Sequence, residues 1–238
     1  MLAHRVMMGA AKGKAPDELS TAVFRWYDAS QIAGLSDGDP VSQWDDESVN
    51  ADHAVQATGS KQPTYKTGII NGWPVVRFDG GDVLEFSEIF DSSGATAHMF
   101  VVADHTGGTA GALLSTRPTA PTNAGWTWRY NNATQQTYFH TGHSPLLTNT
   151  VADQFNILEI RRDGLDVEIG ANGTLASSVT ISGYSASSYG KTSIGAEAGG
   201  AGSFLTGDVP EIAIYSSLLS AADRLALLQH FKAKYGIS

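Results

Sequence analysis

Short segments of β character recur along the 238 residues and are separated by turn signals. Residues 73–78 (WPVVRF) and 83–86 (VLEF) flank Asp79-Gly80-Gly81-Asp82, which predicts a hairpin. Asn172-Gly173 predicts a type I′ turn. Glycine stands at 26 of the 238 positions, above the usual ~7%, as a chain with many turns requires. The pattern predicts an all-β fold, an antiparallel β-sandwich of the jelly-roll kind.

The end of the chain predicts one C-terminal α-helix. Ser220 with Asp223 three residues on forms a capping box, and Gly236 is placed to end the helix. Before it, residues 209–215 (VPEIAIY) predict a strand with Pro210 at its start or at a bulge. The apolar face of the helix is predicted to pack on the sheets through Leu225, Leu228, Phe231 and Tyr235.

Charge divides the chain into a basic start and an acidic body. The net charge is -9, with 15 Lys and Arg against 24 Asp and Glu. Residues 1–16 carry three basic residues and no acid, so the remainder carries 12 basic and 24 acidic residues, or -12. We therefore predict an N-terminal docking arm over residues 1–20 and a domain over residues 21–238. The residues predicted to dock are His4, Arg5, Lys12 and Lys14.

Composition argues against several classes of partner, chemistry and cellular location. An acidic body disfavours nucleic acid as a partner. The absence of cysteine excludes disulfides and a thiol nucleophile. No apolar run approaches the ~18 residues of a membrane span. His4 and Arg5 interrupt the start of the chain, so no signal peptide is expected.

A run of aromatic residues is the best candidate for ligand binding. On a strand, Trp126, Trp128 and Tyr130 would share one face, and Tyr138 and His140 show the same spacing on the expected partner strand. Aromatic faces stack on sugars and also anchor protein interfaces. A sandwich core is the favoured interpretation of the three, and a ligand platform remains open.

Other patterns of reactive residues give weaker signals. Asp166 and Glu168 share one strand face, but a solvated outer face explains them better than a catalytic pair. His140 and His143 lack a third ligand, so no metal site is assigned. Calcium stays a candidate without a defined ligand set, its hard-oxygen donors being Asp28, Asp45, Asp46, Asp79, Asp82 and Asp208. Of these, Asp79 and Asp82 are interpreted as turn formers.

The order of several motifs over residues 24–237 resembles a known family. They are WYDAS at 26–30, QWDD at 43–46, QPTY at 62–65, NGWPVVRFDG at 71–80 and GDVPEIAIY at 207–215. This series resembles a laminin-G-like, concanavalin-A-like jelly-roll domain of bacterial or phage type. The resemblance implies two antiparallel sheets packed face to face. Family members bind glycans or proteins, or serve as structural modules, and some relatives of the fold are glycosidases or lyases.

The resemblance suggests that the protein acts outside the cell, whereas no signal peptide is expected. Together they predict a protein that leaves the cell without being secreted. The leading prediction is a non-enzymatic structural or decoration protein of a phage virion, made in the host cytoplasm and attached to a shell or tail protein through residues 1–20. The alternative is a carbohydrate- or receptor-binding module of a tail or head fibre. An enzyme of the same fold ranks third, since the carboxylate and lyase signatures of such relatives are not found. A homo-oligomer is expected, as is common for virion proteins.

Overall fold

The structure is a computed structural model of the chain. It describes residues 13–89, 95–107, 110–117, 125–131, 134, 136–140, 146–150, 154–181, 190–197, 200 and 202–238. The strands in chain order are β1 (Arg25–Asp28), β2 (Gln43–Trp44), β3 (Ala54–Val55), β4 (Thr64–Ile70), β5 (Trp73–Asp79), β6 (Leu84–Ser87), β7 (Thr96–His105), β8 (Gly111–Ser115), β9 (Thr127–Asn131), β10 (Gln136–His140), β11 (Leu146–Asn149), β12 (Asn156–Asp163), β13 (Asp166–Ala171), β14 (Thr174–Thr180), β15 (Lys191–Ile194) and β16 (Thr206–Tyr215). The helix α1 (Ala221–Tyr235) follows them.

These strands form two antiparallel sheets. The first sheet has the order β14-β13-β12-β7-β16-β5-β4, with β1 also paired to β16. The second has the order β11-β10-β9-β8-β15-β6-β3-β2. The predicted all-β antiparallel sandwich with a C-terminal helix is confirmed.

The main core lies between the two sheets, and a second core lies outside the first sheet. Side chains alternate across a strand, so Val101 of β7 faces the main core while Phe100 and Val102 face the helix side. In the second core, Phe100 meets Phe231 of α1 at a ring-centroid distance of 6.1 Å. The molecule therefore has three layers: the second sheet, the first sheet, and α1.

The caps of α1 are those predicted. Ser220 Oγ accepts a hydrogen bond from the Asp223 backbone N–H at 3.1 Å, and Gly236 takes the left-handed conformation that ends the helix. One residue of the predicted apolar face is wrong, since Leu225 is 55% exposed and Leu227 is buried instead. Leu227 and Leu228 point to the sheet together because the buried stripe is wider than a strict three-four repeat.

Two turn predictions have different outcomes. Asn172 and Gly173 both have positive φ angles and join β13 to β14, as predicted. The hairpin predicted around Asp79 and Asp82 is wrong, because β5 belongs to the first sheet and β6 to the second. This turn carries the chain across the sandwich, a change that turn chemistry alone does not encode. Pro210 lies at a bulge of β16, which is one of its two predicted places.

Residues 13–20, within the predicted arm, lie against the body of the domain. Leu19 is buried in the second core. The Lys14 backbone N–H donates to the Ala226 carbonyl at 3.1 Å, and the Tyr215 hydroxyl donates to the Pro16 carbonyl at 3.2 Å. Residues 1–12 lie outside the described residues.

Candidate functional site

The predicted aromatic platform is part of the main core. Trp126, Trp128 and Tyr130 are each 0% exposed, so they cannot contact a ligand on the surface. Trp128 Nε1 donates to the Thr137 hydroxyl at 2.8 Å, and the Trp126 ring stacks on Phe139 at 5.5 Å. A ligand site on these three residues is a wrong prediction, and the core interpretation is confirmed.

Tyr138 and His140 lie on β10, the neighbour of β9, but not on the platform's face. Tyr138 stands opposite Arg129, whereas Phe139 stands opposite Trp128. Cross-strand partners share a face and successive residues alternate, so Tyr138 points to the outer side of the second sheet with Arg129. Tyr138 is half-buried there. His140 is paired with Thr127 in the backbone register, and its side chain lies outside the described residues, as does His143.

Most of the predicted docking residues lie outside the part of the chain that the structure describes. His4, Arg5 and Lys12 lie outside the described residues, and Lys14 is exposed. The docking prediction for these four residues stays a prediction.

The outer face of the second sheet instead carries a cluster of polar side chains that we call the arginine site, formed by Arg117, Arg129, Tyr138, Glu197 and Ser203. Arg117 follows β8, Arg129 lies on β9 and Glu197 follows β15. Both guanidinium groups contact Glu197 Oε1, Arg117 through Nη1 at 3.5 Å and Arg129 through Nη2. Ser203 Oγ donates to Glu197 Oε2 at 3.2 Å. Neighbouring strands thus bring together residues from three parts of the chain.

The arginine site brings two positively charged groups to the carboxylate of Glu197. Two guanidinium groups share one carboxylate, and their side chains are only 18% and 20% exposed. Burial alone would lower the pKa of Arg129, but hydrogen bonds with Tyr138 and Glu197 outweigh it and raise that pKa above its usual value. Arg129 therefore stays charged at every accessible pH.

Two polar atoms at this face are buried without a partner among the described residues. They are Nε of Arg129 and Oγ1 of Thr127, which lie two residues apart and so on the same face of β9. A buried donor without an acceptor costs roughly 1–3 kcal/mol. Among the described residues, Nε–H of the partly exposed Arg129 is therefore left as a donor for a ligand that enters the site.

Of the five residues of the arginine site, the sequence predicts only Tyr138 as a ligand-binding residue. Arg129 lies within GWTWRY at 125–130. The ligand-binding prediction there uses the three aromatic residues, which lie on the opposite face of the strand. A mixed strand of this kind has a core face and a polar face, and the polar face is the one that meets solvent. Glu197 gives no local signal, because its partners are distant in sequence.

All six candidate calcium donors are engaged in other contacts. Asp79 and Asp82 hold their own turn: Asp82 Oδ2 accepts from the Asp79 N–H at 2.8 Å, and Asp79 Oδ1 accepts from the Gly81 N–H at 3.0 Å. Their interpretation as turn formers is confirmed. Asp208 is paired with Arg77 through two hydrogen bonds of 2.7 Å. Across the described part of the chain, no group of three or more His, Asp or Glu is arranged to hold a metal ion.

The described part of the chain holds no helix with the length and apolar character that crossing a bilayer requires. No protein-family model matches the chain, and no curated protein matches it significantly in sequence. Its similarities are therefore those of fold.

Several solved structures share this fold at low sequence identity. A carbohydrate-binding module of the Ruminococcus gnavus IT-sialidase, of type CBM40 and bound to α2,3-sialyllactose, has a TM-score of 0.54 and 12% identity; the match covers 65% of this chain and 95% of that one. The Trypanosoma rangeli sialidase in complex with sialic acid has a TM-score of 0.61 and 11% identity, over 90% of this chain and 33% of that one. A leech intramolecular trans-sialidase matches with a TM-score of 0.51 and 14% identity, over 69% of this chain and 27% of that one.

At these identities the likeness establishes the fold, a β-sandwich shared with a carbohydrate-binding module and with parts of sialidases. The chain spans about a third of the length of the Trypanosoma enzyme. The resemblance to laminin-G-like domains of bacterial or phage type stays a prediction, because the structures named above belong to sialidases and their binding modules.

Proposed function

We propose that the chain is a carbohydrate-binding module without catalytic activity, and that its arginine site holds a sugar bearing a carboxylate. The carrying observation is the partly buried Arg129, which meets Arg117 at the carboxylate of Glu197 and whose Nε has no hydrogen-bond partner among the described residues. A guanidinium group matches a carboxylate in charge and in planar, two-pronged geometry.

The neighbouring groups suit the rest of a sugar. The hydroxyls of Tyr138 and Ser203 both donate and accept hydrogen bonds, as sugar hydroxyls require, and the Tyr138 ring offers a flat apolar side. The carbohydrate-binding module of the Ruminococcus gnavus enzyme was solved with a sialylated lactose, which supports an acidic sugar as the ligand class. Fold likeness alone would not carry this step.

The proposal is tested by titrating the protein with 3′-sialyllactose and, separately, with lactose, which differs by the acidic sugar alone. We expect measurable binding of 3′-sialyllactose and binding of lactose that is at least tenfold weaker, a difference of about 1.4 kcal/mol or more. Arg129→Gln should weaken sialyllactose binding by at least tenfold. Arg129→Lys should bind more tightly than Arg129→Gln because it keeps the positive charge, but less tightly than the unsubstituted protein because an ammonium group lacks the two-pronged geometry of the guanidinium group.

A matched control is Arg161→Gln on the outer face of the first sheet, where Arg161 is likewise paired with a glutamate, Glu168. This variant should bind sialyllactose as the unsubstituted protein does. Equal affinity for the two sugars, or unchanged binding by Arg129→Gln, would overturn the arginine site. Release of free sugar from sialyllactose during long incubation would overturn the non-catalytic part.

The virion role predicted from the charge division is a separate question. No contact of the described residues favours it, and its docking residues lie mostly outside them. It is tested by quantifying the chain in purified virus particles against the major shell protein. A simple ratio would support decoration, a few copies per particle would support a fibre role, and complete absence would remove the virion prediction.

A further inference from the structure

A cavity lies on the opposite side of the molecule from the arginine site, beside α1 and the first sheet. We call it the tryptophan cavity; its volume is about 470 Å³ and its lining includes Trp26, Trp73, Asp28, Gln31, His230 and Lys234. That volume is within the range of small-molecule sites. Trp73 is 41% exposed, an unusual cost for so large an apolar ring.

One tryptophan is held through its side chain, and the other follows a turn that is tied to α1. Trp26 Nε1 donates to Glu211 Oε1 at 2.8 Å. Trp73 follows the turn Asn71-Gly72, in which both residues have positive φ angles, the geometry of a two-residue type I′ turn. Asn71 Nδ2 donates to the Lys234 carbonyl at 2.9 Å, which ties this turn to the end of α1. The Trp26 ring and the backbone that carries Trp73 are therefore anchored without a ligand, which reduces the ordering cost of binding.

The charged groups around the cavity already contact one another. Lys234 Nζ donates to Asp28 Oδ2 at 2.6 Å and to Glu211 Oε2 at 2.9 Å, and it lies 5.5 Å from the centre of the Trp73 ring. A ligand cation would compete with this ammonium group for the aromatic face. A ligand anion would meet two carboxylates for one ammonium group. A neutral ligand avoids both the competition with Lys234 and the contact with the carboxylates.

Polar groups at the cavity suit hydroxyl groups. Gln31 is exposed at the rim. His230 Nε2 is buried and has no hydrogen-bond partner among the described residues. Burial and the nearby Lys234 lower the pKa of His230, so its ring is neutral near pH 7 and has one donor and one acceptor nitrogen. A neutral imidazole can bind a hydroxyl in either direction.

We infer that the tryptophan cavity is a second carbohydrate site, which takes a neutral pyranose ring with its apolar C–H face against Trp73 and its hydroxyls toward Gln31 and His230. The ligand class differs from that of the arginine site. The two sites also lie on the outer sides of different sheets, so this inference does not depend on the first.

The test uses methyl β-D-glucoside, methyl β-D-galactoside and methyl α-D-mannoside as probes, with saturation-transfer NMR to detect binding and titration to measure affinity. We expect at least one of the three to bind. Trp73→Ala should weaken that binding at least tenfold, while Trp73→Phe should keep most of it because a flat ring remains. The matched control is Leu225→Ala, an exposed apolar residue of α1, which should bind normally.

Failure of all three glycosides to bind the unsubstituted protein would overturn the inference, as would unchanged binding by Trp73→Ala. A shift in oligomeric state with Trp73→Ala, without sugar binding, would make the face a contact between copies and would also overturn it. Arg129→Gln should leave the neutral probes unaffected. Loss of sialyllactose binding in Arg129→Gln, with these probes still bound, therefore separates the two sites.

Discussion

At position 128 an indole ring is enclosed by the core, and this decides how the aromatic run is interpreted. Trp128 is 0% exposed and its only polar side-chain atom reaches Thr137. Trp128→Ala removes the packing of the whole ring and leaves Thr137 without that donor. We expect the free energy of unfolding to fall by about 3–5 kcal/mol, measured by urea denaturation followed by far-UV circular dichroism.

Trp73→Ala is the matched control for this measurement, because Trp73 has the same side chain but is 41% exposed. Its loss should cost much less than the loss of Trp128. If Trp128→Ala kept its stability and lost binding of a ligand instead, the core assignment would be wrong. The aromatic run would then be a ligand-binding face.

At the scale of elements, the contact between α1 and the first sheet depends on a buried charged group. Glu159 of β12 accepts two hydrogen bonds from Arg224 of α1, at 2.5 and 2.6 Å, and contacts His98 Nε2 at 2.7 Å. His98 Nδ1 accepts from the Leu219 N–H at 3.2 Å. A neutral imidazole with its proton on Nε2 satisfies both partners, and a second proton on Nδ1 would oppose the Leu219 N–H.

This geometry gives a pH dependence with a defined sign. Burial lowers the pKa of His98 from its ordinary value of 6.5, despite the opposing effect of Glu159. Below about pH 6.5 the unfolded chain therefore binds a proton at this position that the folded chain does not, so stability falls as the pH falls. The loss attributable to His98 reaches at most about 1.4 kcal/mol per pH unit.

The measurement compares the unsubstituted protein with His98→Gln by urea denaturation between pH 5 and 7. His98→Gln cannot take up this proton, so the difference in unfolding free energy between the two proteins should change steadily with pH, to the disadvantage of the unsubstituted protein at pH 5. Parallel curves over this range would show that His98 titrates alike in the folded and unfolded chains.

Elements differ in how far the sequence specifies them. The caps of α1 and the Asn172-Gly173 turn are set by residues within a few positions, and both are predicted correctly. The partner of β5 is not local information, because the turn at Asp79 and Asp82 suits a hairpin and a crossing equally well. The face of Tyr138 depends on the register between β9 and β10, in which a shift of one residue reverses every side chain.

At the scale of the whole molecule, alternating strands and turns are sufficient to predict the sandwich, whereas the two candidate sites are assembled from distant parts. Arg129 lies on β9 and Glu197 follows β15, and these two strands are separated in the second sheet only by β8. Trp26 and Trp73 line the same cavity beside the C-terminal helix. No spacing rule applied to one stretch of sequence finds such neighbours, because the fold creates them.

The boundary of the domain is also a property of the whole molecule. The predicted arm ends at residue 20, yet Leu19 is buried in the second core and both the backbone N–H and the hydroxyl of Ser20 bond Asp223 of α1. Two truncated chains, one beginning at residue 13 and one at residue 21, isolate residues 13–20. Burial of Leu19 contributes roughly 1.5–3 kcal/mol and each lost hydrogen bond roughly 0.5–1.5 kcal/mol.

We therefore expect the chain that begins at residue 21 to be less stable than the one that begins at residue 13 by about 3–5 kcal/mol in urea denaturation. Leu19→Ala in the full chain is the matched point variant and should show part of the same loss, since the backbone contact of Lys14 and the carbonyl of Pro16 remain. Equal stability of the two truncated chains would make residues 13–20 an appendage and would support a domain boundary at residue 20. A clear difference would place that boundary before residue 13, so that any docking arm must be sought in residues 1–12.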